Sequence, residues 1–246
     1  MNEPLVQRTD RDGVAIVELH RPHRKNAIVG PMLDELAVHV EAASANDSVE
    51  VVLLCGAGGS FCSGLDLTEY NADPPPAWLP TASVSLKAAH SALGACPKPV
   101  VVALERYAIN GGAAFALAGD LIVVGADAWL QVGEARLGMN APMNLAWLVA
   151  RYPIATVLQI VLPGARLSSD DLVRLGIAHE VVDDGQVRAR AEALATEIAA
   201  FPHGSAQRLK QSALRLATEL PTASAMSDWF DLAANAAPPA APPPRT

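Results

Sequence analysis

The sequence predicts an α/β protein whose C-terminal part is helical, and three observations lead to that fold class. Short apolar runs rich in Val, Ile and Leu alternate with helical spacing over residues 14–132. From residue 134 onward the apolar spacing stays helical, so we expect the strands in the first half of the chain and helices in the second. Of the 246 residues, 51% are hydrophobic and only 4% are aromatic. This composition is typical of a packed α/β protein.

The first half begins with a strand at residues 14–19, which ends at a polar turn where Pro22 cannot continue a strand ladder. A helix opens at Gly30, because apolar residues recur on one of its faces: Met32, Leu33, Leu36, Ala37 and Val40. Residues 50–55 are almost uninterruptedly apolar, which predicts a strand covered on both faces. Further strands are predicted at 99–104, 121–124 and 129–132, and a further helix at 81–93.

The second half is predicted as a series of helices, at residues 142–151, 155–162, 168–175, 186–200 and 204–219. Between the first helices, residues 71–80 contain three consecutive prolines and are predicted as a loop or a mobile flap. Residues 236–246 consist mainly of Ala and Pro. Such a segment cannot build a core, so we predict a disordered tail.

Charge and cysteine content restrict the partners and the compartment. The net charge is −8 and the sequence contains no run of basic residues, which argues against nucleic acid as a partner. No apolar run reaches the roughly 18–20 residues that a membrane span requires, and the N-terminus lacks the pattern of a signal peptide. The three cysteines have no metal-ligand spacing. We therefore expect a cytoplasmic protein without a membrane span or a metal site.

The segment at residues 108–120 is where the chain is predicted to do its chemistry. It follows a β-rich run and turns through Gly111 and Gly112 into a stretch of small, helix-forming residues. Glycines at a helix start let another molecule approach the backbone, and the first N–H groups of the helix suit an oxygen that gains negative charge. The same glycines are equally consistent with a tight strand-to-helix turn and nothing more.

A second glycine-rich loop, residues 56–66, follows the apolar strand at 50–55. It does not match a dinucleotide-binding fingerprint, because Phe61 stands where a third glycine is needed, and it lacks the Gly-x-Ser-x-Gly spacing of a nucleophile elbow. Its glycines are consistent with exposed backbone amides. Two such loops could each direct one N–H at the same oxygen, which is the arrangement of an oxyanion hole.

Four segments in this order resemble the crotonase, or enoyl-CoA hydratase/isomerase, superfamily, over about residues 14–216. They are Leu-His-Arg-Pro-His-Arg-Lys-Asn-Ala at 19–27, Ser-Phe-Cys-Ser-Gly-Leu-Asp-Leu at 60–67, the glycine segment at 108–120, and Glu-Ala-Arg-Leu-Gly at 134–138 with Pro142 after it. The resemblance implies a crotonase-like spiral of ββα units whose C-terminal helices build a homotrimer or hexamer. It divides the chain into a core with the acyl-CoA site (1–185), a helical trimerisation region (186–235) and the tail (236–246).

The resemblance also implies the residues of the site. The N–H groups of Leu65 and Gly111 are expected to bind the thioester oxygen of an acyl-CoA, which is the substrate, and no separate cofactor is implied. Residues expected to contact the CoA portion are Arg24, Lys25, Ala27, Ser63, Gly64, Asp66, Leu67 and, from a neighbouring subunit, Lys210. For Arg24, Lys25 and Lys210 the simpler interpretation is a solvated charge. Asp66 and Asp120 are expected to orient their loops by accepting backbone hydrogen bonds.

The carboxylates decide which reaction is expected. Hydratases of the family use two glutamates, and one of them corresponds to Glu134 whereas the other corresponds to Ala114. Further departures from the family pattern are Arg106 in place of a glycine, Asn110 in place of the first of three glycines, and the absence of the family's closing stretch. Moving a double bond from Δ3 to Δ2 needs one base only, which removes a proton at C2 and returns it at C4.

The stretch from Glu134 to Pro142 is most similar to the single-glutamate Δ3,Δ2-enoyl-CoA isomerases, which share Leu-Gly-x-x-Ala-Pro. We therefore predict isomerase chemistry, with Glu134 as acid and base and with its pKa raised by an apolar pocket. Three alternatives stay open. Glu134 is a surface or helix-start residue; the protein is a hydratase, a lyase, whose second acid is Glu69 or Glu105; or it binds acyl-CoA without catalysing a reaction.

Overall fold

A computed structural model describes residues 3–219, with side chains as far as residue 217. The predicted tail and the end of the expected trimerisation region lie outside this range. The strands of the described part are β1 (Val6–Arg11), β2 (Val14–Leu19), β3 (Val51–Gly56), β4 (Val100–Leu104), β5 (Tyr107–Ile109), β6 (Leu121–Gly125), β7 (Trp129–Gln131), β8 (Arg166–Ser168) and β9 (Glu180–Val182). Its α-helices are α1 (Gly30–Ala45), α2 (Leu67–Tyr70), α3 (Ala82–Ala95), α4 (Gly111–Leu117), α5 (Pro142–Arg151), α6 (Ile154–Val161), α7 (Ser169–Arg174), α8 (Val187–Ala199) and α9 (Ser205–Glu219).

The strands form two sheets. The larger has the order β1-β2-β3-β4-β6-β9 and is parallel except for the β1–β2 hairpin. The smaller has the order β5-β7-β8. Twice in succession a strand of the large sheet is followed by a strand of the small sheet and then by a helix, in β4-β5-α4 and in β6-β7-α5. This is the ββα spiral that the resemblance implied, and the predicted α/β class is confirmed.

The predicted elements of the first half are present with shifts of one or two residues at their ends. The five apolar residues predicted on one face of the helix that opens at Gly30 are all buried, and every residue of β3 is buried, as expected for a strand covered on both faces. Residues 71–78 form a loop. No helix within residues 3–219 is long and apolar enough to cross a membrane.

The expectation that strands are confined to the first half was wrong. Between the predicted helices of the second half lie β8, which pairs with β7, and β9, which pairs with the end of β6. Both have three residues. A strand of that length is too short to show alternation of apolar and polar residues, so tertiary pairing alone defines it.

The core has one layer on each face of the large sheet. Alternate residues of β3 point to opposite faces: Val52 and Leu54 pack with α1, α3 and α4, whereas Val51 and Leu53 pack with α8. On that second face α8 buries Val187, Ala191, Leu194 and Ala195. The expected division of the chain at residues 185 and 186 therefore does not coincide with a break in packing, because α8 completes the core.

Replacing Leu194 by Ala tests whether α8 belongs to the core. Leu194 is 8% exposed, so its truncation should lower the free energy of unfolding by about 2–3 kcal/mol, the usual cost of a buried Leu→Ala change. The matched control is Leu209→Ala on α9, where the leucine is 72% exposed and the change should be below about 0.5 kcal/mol. Urea unfolding measures both, and equal losses would contradict the assignment of α8 to the core.

Candidate active site

A cavity of about 430 Å³ lies between the glycine-rich loop after β3 and the start of α4. Its other walls are Leu86 of α3, the turn Glu134–Leu137 and the first residues of α5. Three residues predicted for catalysis line it together: Leu65, Gly111 and Glu134. Because these residues come from three separate segments, the fold alone brings them into one cavity.

Leu65 and Gly111 present backbone N–H groups in this cavity. Ile28 donates its N–H to the carbonyl of Gly64 (2.8 Å), and Asp66 donates to the carbonyl of Ile28 (2.9 Å), so the peptide groups on either side of Leu65 are fixed. The N–H of Leu65 itself has no protein acceptor within residues 3–219, and neither has the N–H of Gly111. A Cβ placed on Gly111 would lie 3.8 Å from Cδ2 of Leu65. The side chain of Leu65 therefore lies against Gly111, and the two residues that carry the unpaired donors are neighbours.

Gly112 explains how the two loops come so near each other. A Cβ at this position would lie 2.6 Å from the carbonyl oxygen of Cys62 and 2.9 Å from its Sγ. No side chain fits in that space, so α4 packs directly against the loop after β3. The glycine pair thus does more than make a turn: Gly112 permits the contact, and Gly111 supplies the donor.

Glu134 is buried, with 8% of its surface exposed. Its Oε1 accepts a hydrogen bond from Nδ2 of Asn144 at 2.8 Å, whereas its Oε2 has no protein donor. Burial raises the pKa of Glu134, and the hydrogen bonds from its own backbone N–H and from Asn144 oppose that shift in part. The alternative that Glu134 is a surface carboxylate is therefore wrong. No group of His, Cys, Asp and Glu side chains in the described residues is arranged to hold a metal ion.

Asn110 connects the start of α4 to the segment that carries Glu134. Its backbone has φ +50° and ψ −112°, a conformation in the region that favours glycine. Its N–H donates to the carbonyl of Gln131 (2.8 Å), and its Oδ1 accepts from the N–H of Gly133 (2.8 Å). Its carbonyl accepts from Nδ2 of Asn144 (3.0 Å). The sequence pattern singled out Asn110 only as a departure from the family, and it gave no indication of Asn144.

The loop that carries Leu65 is held by charged groups. Asp66 is 3% exposed, caps α2 through the N–H groups of Thr68 and Glu69, and accepts hydrogen bonds from Arg24 (2.8 Å) and Arg21 (3.1 Å). The hydrogen bond from Arg24 is the main cause that lowers the pKa of Asp66 to about 2. The expectation that Asp66 orients its loop is confirmed. Asp120 does likewise, because its Oδ2 accepts from the N–H of Val100 at 2.8 Å.

The residues expected along the CoA portion fall into two adjacent segments, 24–27 and 63–67. The N–H of Ser63 donates to the carbonyl of Lys25 at 3.1 Å and so joins them. Lys25 is exposed and Ala27 is buried. Of the residues in these two segments that were expected to contact CoA, Ser63, Gly64 and Leu67 line the cavity.

Lys210 is held by partners in its own chain. Its ammonium group lies 2.6 Å from Oδ2 of Asp120 and donates to the carbonyl of Lys98 at 2.9 Å, all within one chain. The side chain is 12% exposed, and it does not line the cavity. Its charge is thus engaged by a carboxylate of its own chain, so the simpler interpretation of a solvated charge is wrong, whereas contact with CoA in a neighbouring subunit stays a prediction.

Neither proposed source of a second acid reaches the cavity. Glu69 pairs with Arg21 at 2.8 Å and faces a separate groove beside Trp78. Glu105 lines another groove, with Arg106. Ala114 is fully buried and carries no polar group. Among the described residues Glu134 is therefore the only carboxylate, and the only titratable side chain, that lines the cavity.

Comparison with known proteins gives one family. The model of the enoyl-CoA hydratase/isomerase family matches residues 9–228. The 1,2-epoxyphenylacetyl-CoA isomerase of Escherichia coli (strain K12) is 31% identical over 206 residues, which is 81% of this chain and 78% of that protein. The (E)-benzylidenesuccinyl-CoA hydratase of Thauera aromatica is 29% identical, over 82% of this chain and 78% of that protein. The solved structure of an enoyl-CoA hydratase from Mycobacterium tuberculosis H37Rv is 28% identical and superimposes with a TM-score of 0.78, covering 95% of this chain and 89% of that one.

Replacing Asp66 by Asn tests the charge network around the Leu65 loop, because Asn keeps the helix cap and removes the charge. The pKa of Asp66 is depressed from 3.8 to about 2, so its charge contributes stability that is complete above about pH 4 and is lost as the pH falls through about 2. We expect Asp66→Asn to lower the free energy of unfolding by about 2 kcal/mol at pH 6 and by roughly half of that at pH 3.

Urea unfolding at the two pH values measures the difference. The control is Asp47→Asn, a change at an exposed carboxylate that should stay within about 0.5 kcal/mol. A loss that is the same at pH 6 and pH 3 would show that the charge of Asp66 does not contribute.

Proposed function

This chain belongs to the enoyl-CoA hydratase/isomerase family, and from that premise we propose that it shifts a double bond from Δ3 to Δ2 in an acyl-CoA thioester. One observation carries the proposal: the cavity that contains the two unpaired backbone donors is lined by a single titratable group, Glu134. An isomerisation that moves one proton needs one base. Hydration as the family's hydratases perform it uses two carboxylates, and this cavity has one.

The thioester carbonyl would bind at Leu65 and Gly111. When the proton at C2 is removed, negative charge develops on the thioester oxygen, and the two N–H groups stabilise it as an enolate. Donors fixed in this way need no reorganisation during the reaction, and the loss of one typically raises the barrier by about 3–4 kcal/mol. In support, neither N–H has a competing protein acceptor within residues 3–219.

The proton would travel on Oε2 of Glu134, the oxygen without a protein donor. The carboxylate takes a proton from C2, the electron pair passes into the enolate, and the same proton returns at C4 as the double bond forms between C2 and C3. Nothing is gained or lost overall. A raised pKa makes Glu134 a stronger base, and the first step requires its ionised form.

For the CoA portion we propose the surface formed by segments 24–27 and 63–67. Arg24 and Lys25 are its cations, Ser63, Gly64 and Leu67 line the adjoining cavity, and the buried Ala27 and Asp66 support the two segments from within. Local positive charge is required there because the chain as a whole has a net charge of −8 and the phosphates of CoA are anionic. The side chain of Arg24 is 41% exposed while it bonds Asp66, so part of its guanidinium is available to a phosphate.

Hydration is the second candidate, because relatives with similar identity are named as hydratases. It would need a second acid group, and neither Glu69 nor Glu105 lines the cavity. Acyl-CoA binding without chemistry is the third possibility, and it is an outcome of the same experiment.

The variant Glu134→Gln tests the reaction on a 3-enoyl-CoA substrate. Loss of the base should reduce kcat by about 10²–10⁴-fold, the range of general acid–base catalysis, with acyl-CoA binding retained. Because Glu134 must be ionised and its pKa is raised, the rate of the wild-type protein should fall as the pH falls through a pKa above the 4.5 of an ordinary glutamate. Spectrophotometry of 2-enoyl-CoA formation from pH 4 to 8 measures both.

Glu105→Gln is the matched control, because burial also raises the pKa of Glu105 and that residue lies outside the cavity. It should behave as wild type. Isomerisation that survives Glu134→Gln contradicts the proposal. Hydration of 2-enoyl-CoA as the main activity would favour the second candidate, and tight acyl-CoA binding without either activity would favour the third.

A homotrimer, alone or paired into a hexamer, is part of the proposal. Its support is an apolar stripe along α6 and its C-terminal cap: Ile154, Leu158 and Leu162 follow one another at intervals of four residues and are 62%, 44% and 70% exposed. We propose that a second copy of the chain covers this stripe. Apolar side chains aligned on one helix face are typical of subunit contacts.

Leu158→Glu should dissociate the oligomer, because a charge in the middle of the stripe would lose its water on assembly. Light scattering after size exclusion should give three or six chain masses for wild type and a smaller mass for the variant. Val38→Glu, at a 60% exposed position on α1, is the control and should keep the wild-type mass. A wild-type monomer, or an unchanged Leu158→Glu oligomer, would contradict this part of the proposal.

A further inference from the structure

Asn144 has the most constrained polar side chain of the cavity. It lies on the first turn of α5, is 1% exposed and lines the cavity beside Glu134. Its Nδ2 makes two hydrogen bonds, to Oε1 of Glu134 at 2.8 Å and to the carbonyl of Asn110 at 3.0 Å. Both hydrogens of the amide group are therefore used, one on each side of the site.

The orientation of this amide follows from its partners. A carboxylate oxygen and a carbonyl oxygen are both acceptors, so only the NH₂ group can face them, and the opposite orientation would place Oδ1 against two acceptors. Oδ1 of Asn144 has no protein donor. The side chain consequently acts toward Glu134 and Asn110 as a donor alone.

We propose that Asn144 is a positioning residue that selects Oε2 of Glu134 as the proton-carrying oxygen and holds it in register with the donor at Gly111. The inference rests on the proposed function, since it assigns a role within the same reaction. Because Oε1 already accepts a hydrogen bond from Asn144 and Oε2 has no protein donor, protonation is favoured at Oε2. The same oxygen of Glu134 then faces the substrate in every turnover, and the carboxylate does not rotate to exchange its two oxygens.

A ring of hydrogen bonds fixes the position of the Glu134 carboxylate relative to the N–H of Gly111. The Oδ1 of Asn110 accepts from the N–H of Gly133, which precedes Glu134, and the carbonyl of Asn110, which precedes Gly111, accepts from Asn144. The bond from Asn144 to Glu134 closes the ring. A shift of the carboxylate relative to the Gly111 N–H must therefore break at least one of three buried or half-buried hydrogen bonds. Fixed geometry of this kind matters because displacements of about 1 Å can reduce rates by about 10²-fold.

The position of Asn144 also fits the absence of a second carboxylate. The N–H of Ala114 donates to the carbonyl of Asn110 at 3.1 Å, so Ala114 and the Asn144 amide share one acceptor. Asn144 thus lies beside the position where the family's hydratases have their second glutamate. A neutral donor there stabilises an ionised Glu134, whereas a second carboxylate would repel it.

The test uses the full chain with two variants at position 144 and a control elsewhere. Asn144→Leu removes both donors and nearly keeps the volume, Asn144→Asp keeps the shape and replaces the donor by a carboxylate, and Asn46→Ala is the control. Asn46 follows the C-terminal end of α1, away from the cavity. For each variant we measure kcat and KM with 3-enoyl-CoA, the pH profile, and the titration of Glu134 by ¹³C NMR of glutamate-labelled protein, with the resonance assigned by its loss in Glu134→Gln.

A positioning role predicts that Asn144→Leu lowers kcat by about 10–100-fold with less than about a threefold change in KM. The acid limb of the pH profile and the NMR titration of Glu134 should both move upward by about one pH unit, because a donor to the charged form is lost. The two shifts should be larger in Asn144→Asp, where like charges meet. Asn46→Ala should match wild type, and thermal unfolding checks that each variant is folded.

An unchanged kcat and an unchanged Glu134 titration in folded Asn144→Leu would overturn the inference. If that variant does not fold, the isosteric Asn144→Asp decides by the same two readouts. The titration does not depend on turnover, so it separates this inference from the proposed function. A wild-type protein without isomerase activity would contradict the proposed function. A Glu134 titration that still responds to substitution of Asn144 would nevertheless support the contact between the two residues.

Discussion

The site depends on the backbone of Asn110, which is held in a conformation that asparagine seldom adopts. A non-glycine residue at φ +50° and ψ −112° carries strain of about 1–3 kcal/mol, which surrounding contacts must offset. Here they do so with four hydrogen bonds: the Asn110 N–H donates to Gln131, Oδ1 accepts from Gly133, and the carbonyl accepts from Ala114 and Asn144. This turn consumes the N–H of Asn110 and leaves that of Gly111, the next residue, without a protein acceptor within residues 3–219.

The loop that carries Leu65, the other half of the proposed carbonyl-binding site, is fixed in a similar way by Asn26. This residue also has a positive φ, +55°, and is fully buried. Its Nδ2 donates to the carbonyls of Ala57 (2.9 Å) and Ser60 (2.7 Å), and its Oδ1 accepts from the N–H of Arg21 (2.9 Å). Two buried side-chain amides with both hydrogens used, those of Asn26 and Asn144, thus hold the two loops. Because an unmade hydrogen bond in the interior is costly, each loop has one favourable arrangement, and the N–H groups of Leu65 and Gly111 are ordered by the fold.

Sequence reasoning reached the fold and the three central residues, but not the contacts that connect them. The buried strand β3 is recognisable because an almost uninterrupted apolar run is typical of a strand covered on both faces, and the glycine segments are recognisable because local backbone demands select glycine. The strands β8 and β9 are too short to show a period. Asn144 contacts Glu134 and Asn110 across three segments, so no local pattern marks it. The ion pair of Lys210 escaped the sequence for the same reason, since its partner Asp120 is distant in the chain.

The close contact between the two loops divides the cavity into a part that must stay as it is and a part that is free to vary. At Gly64 an added Cβ would lie 2.7 Å from the carbonyl of Ile109, and at Gly112 one would lie 2.6 Å from that of Cys62. Backbone touches backbone along this seam, so natural variation has no room there. The opposite wall, with Leu137 and Met139 more than half exposed, carries side chains that face solvent. Side chains on that wall can therefore change which molecule the cavity admits, while the contact between the two loops stays as it is.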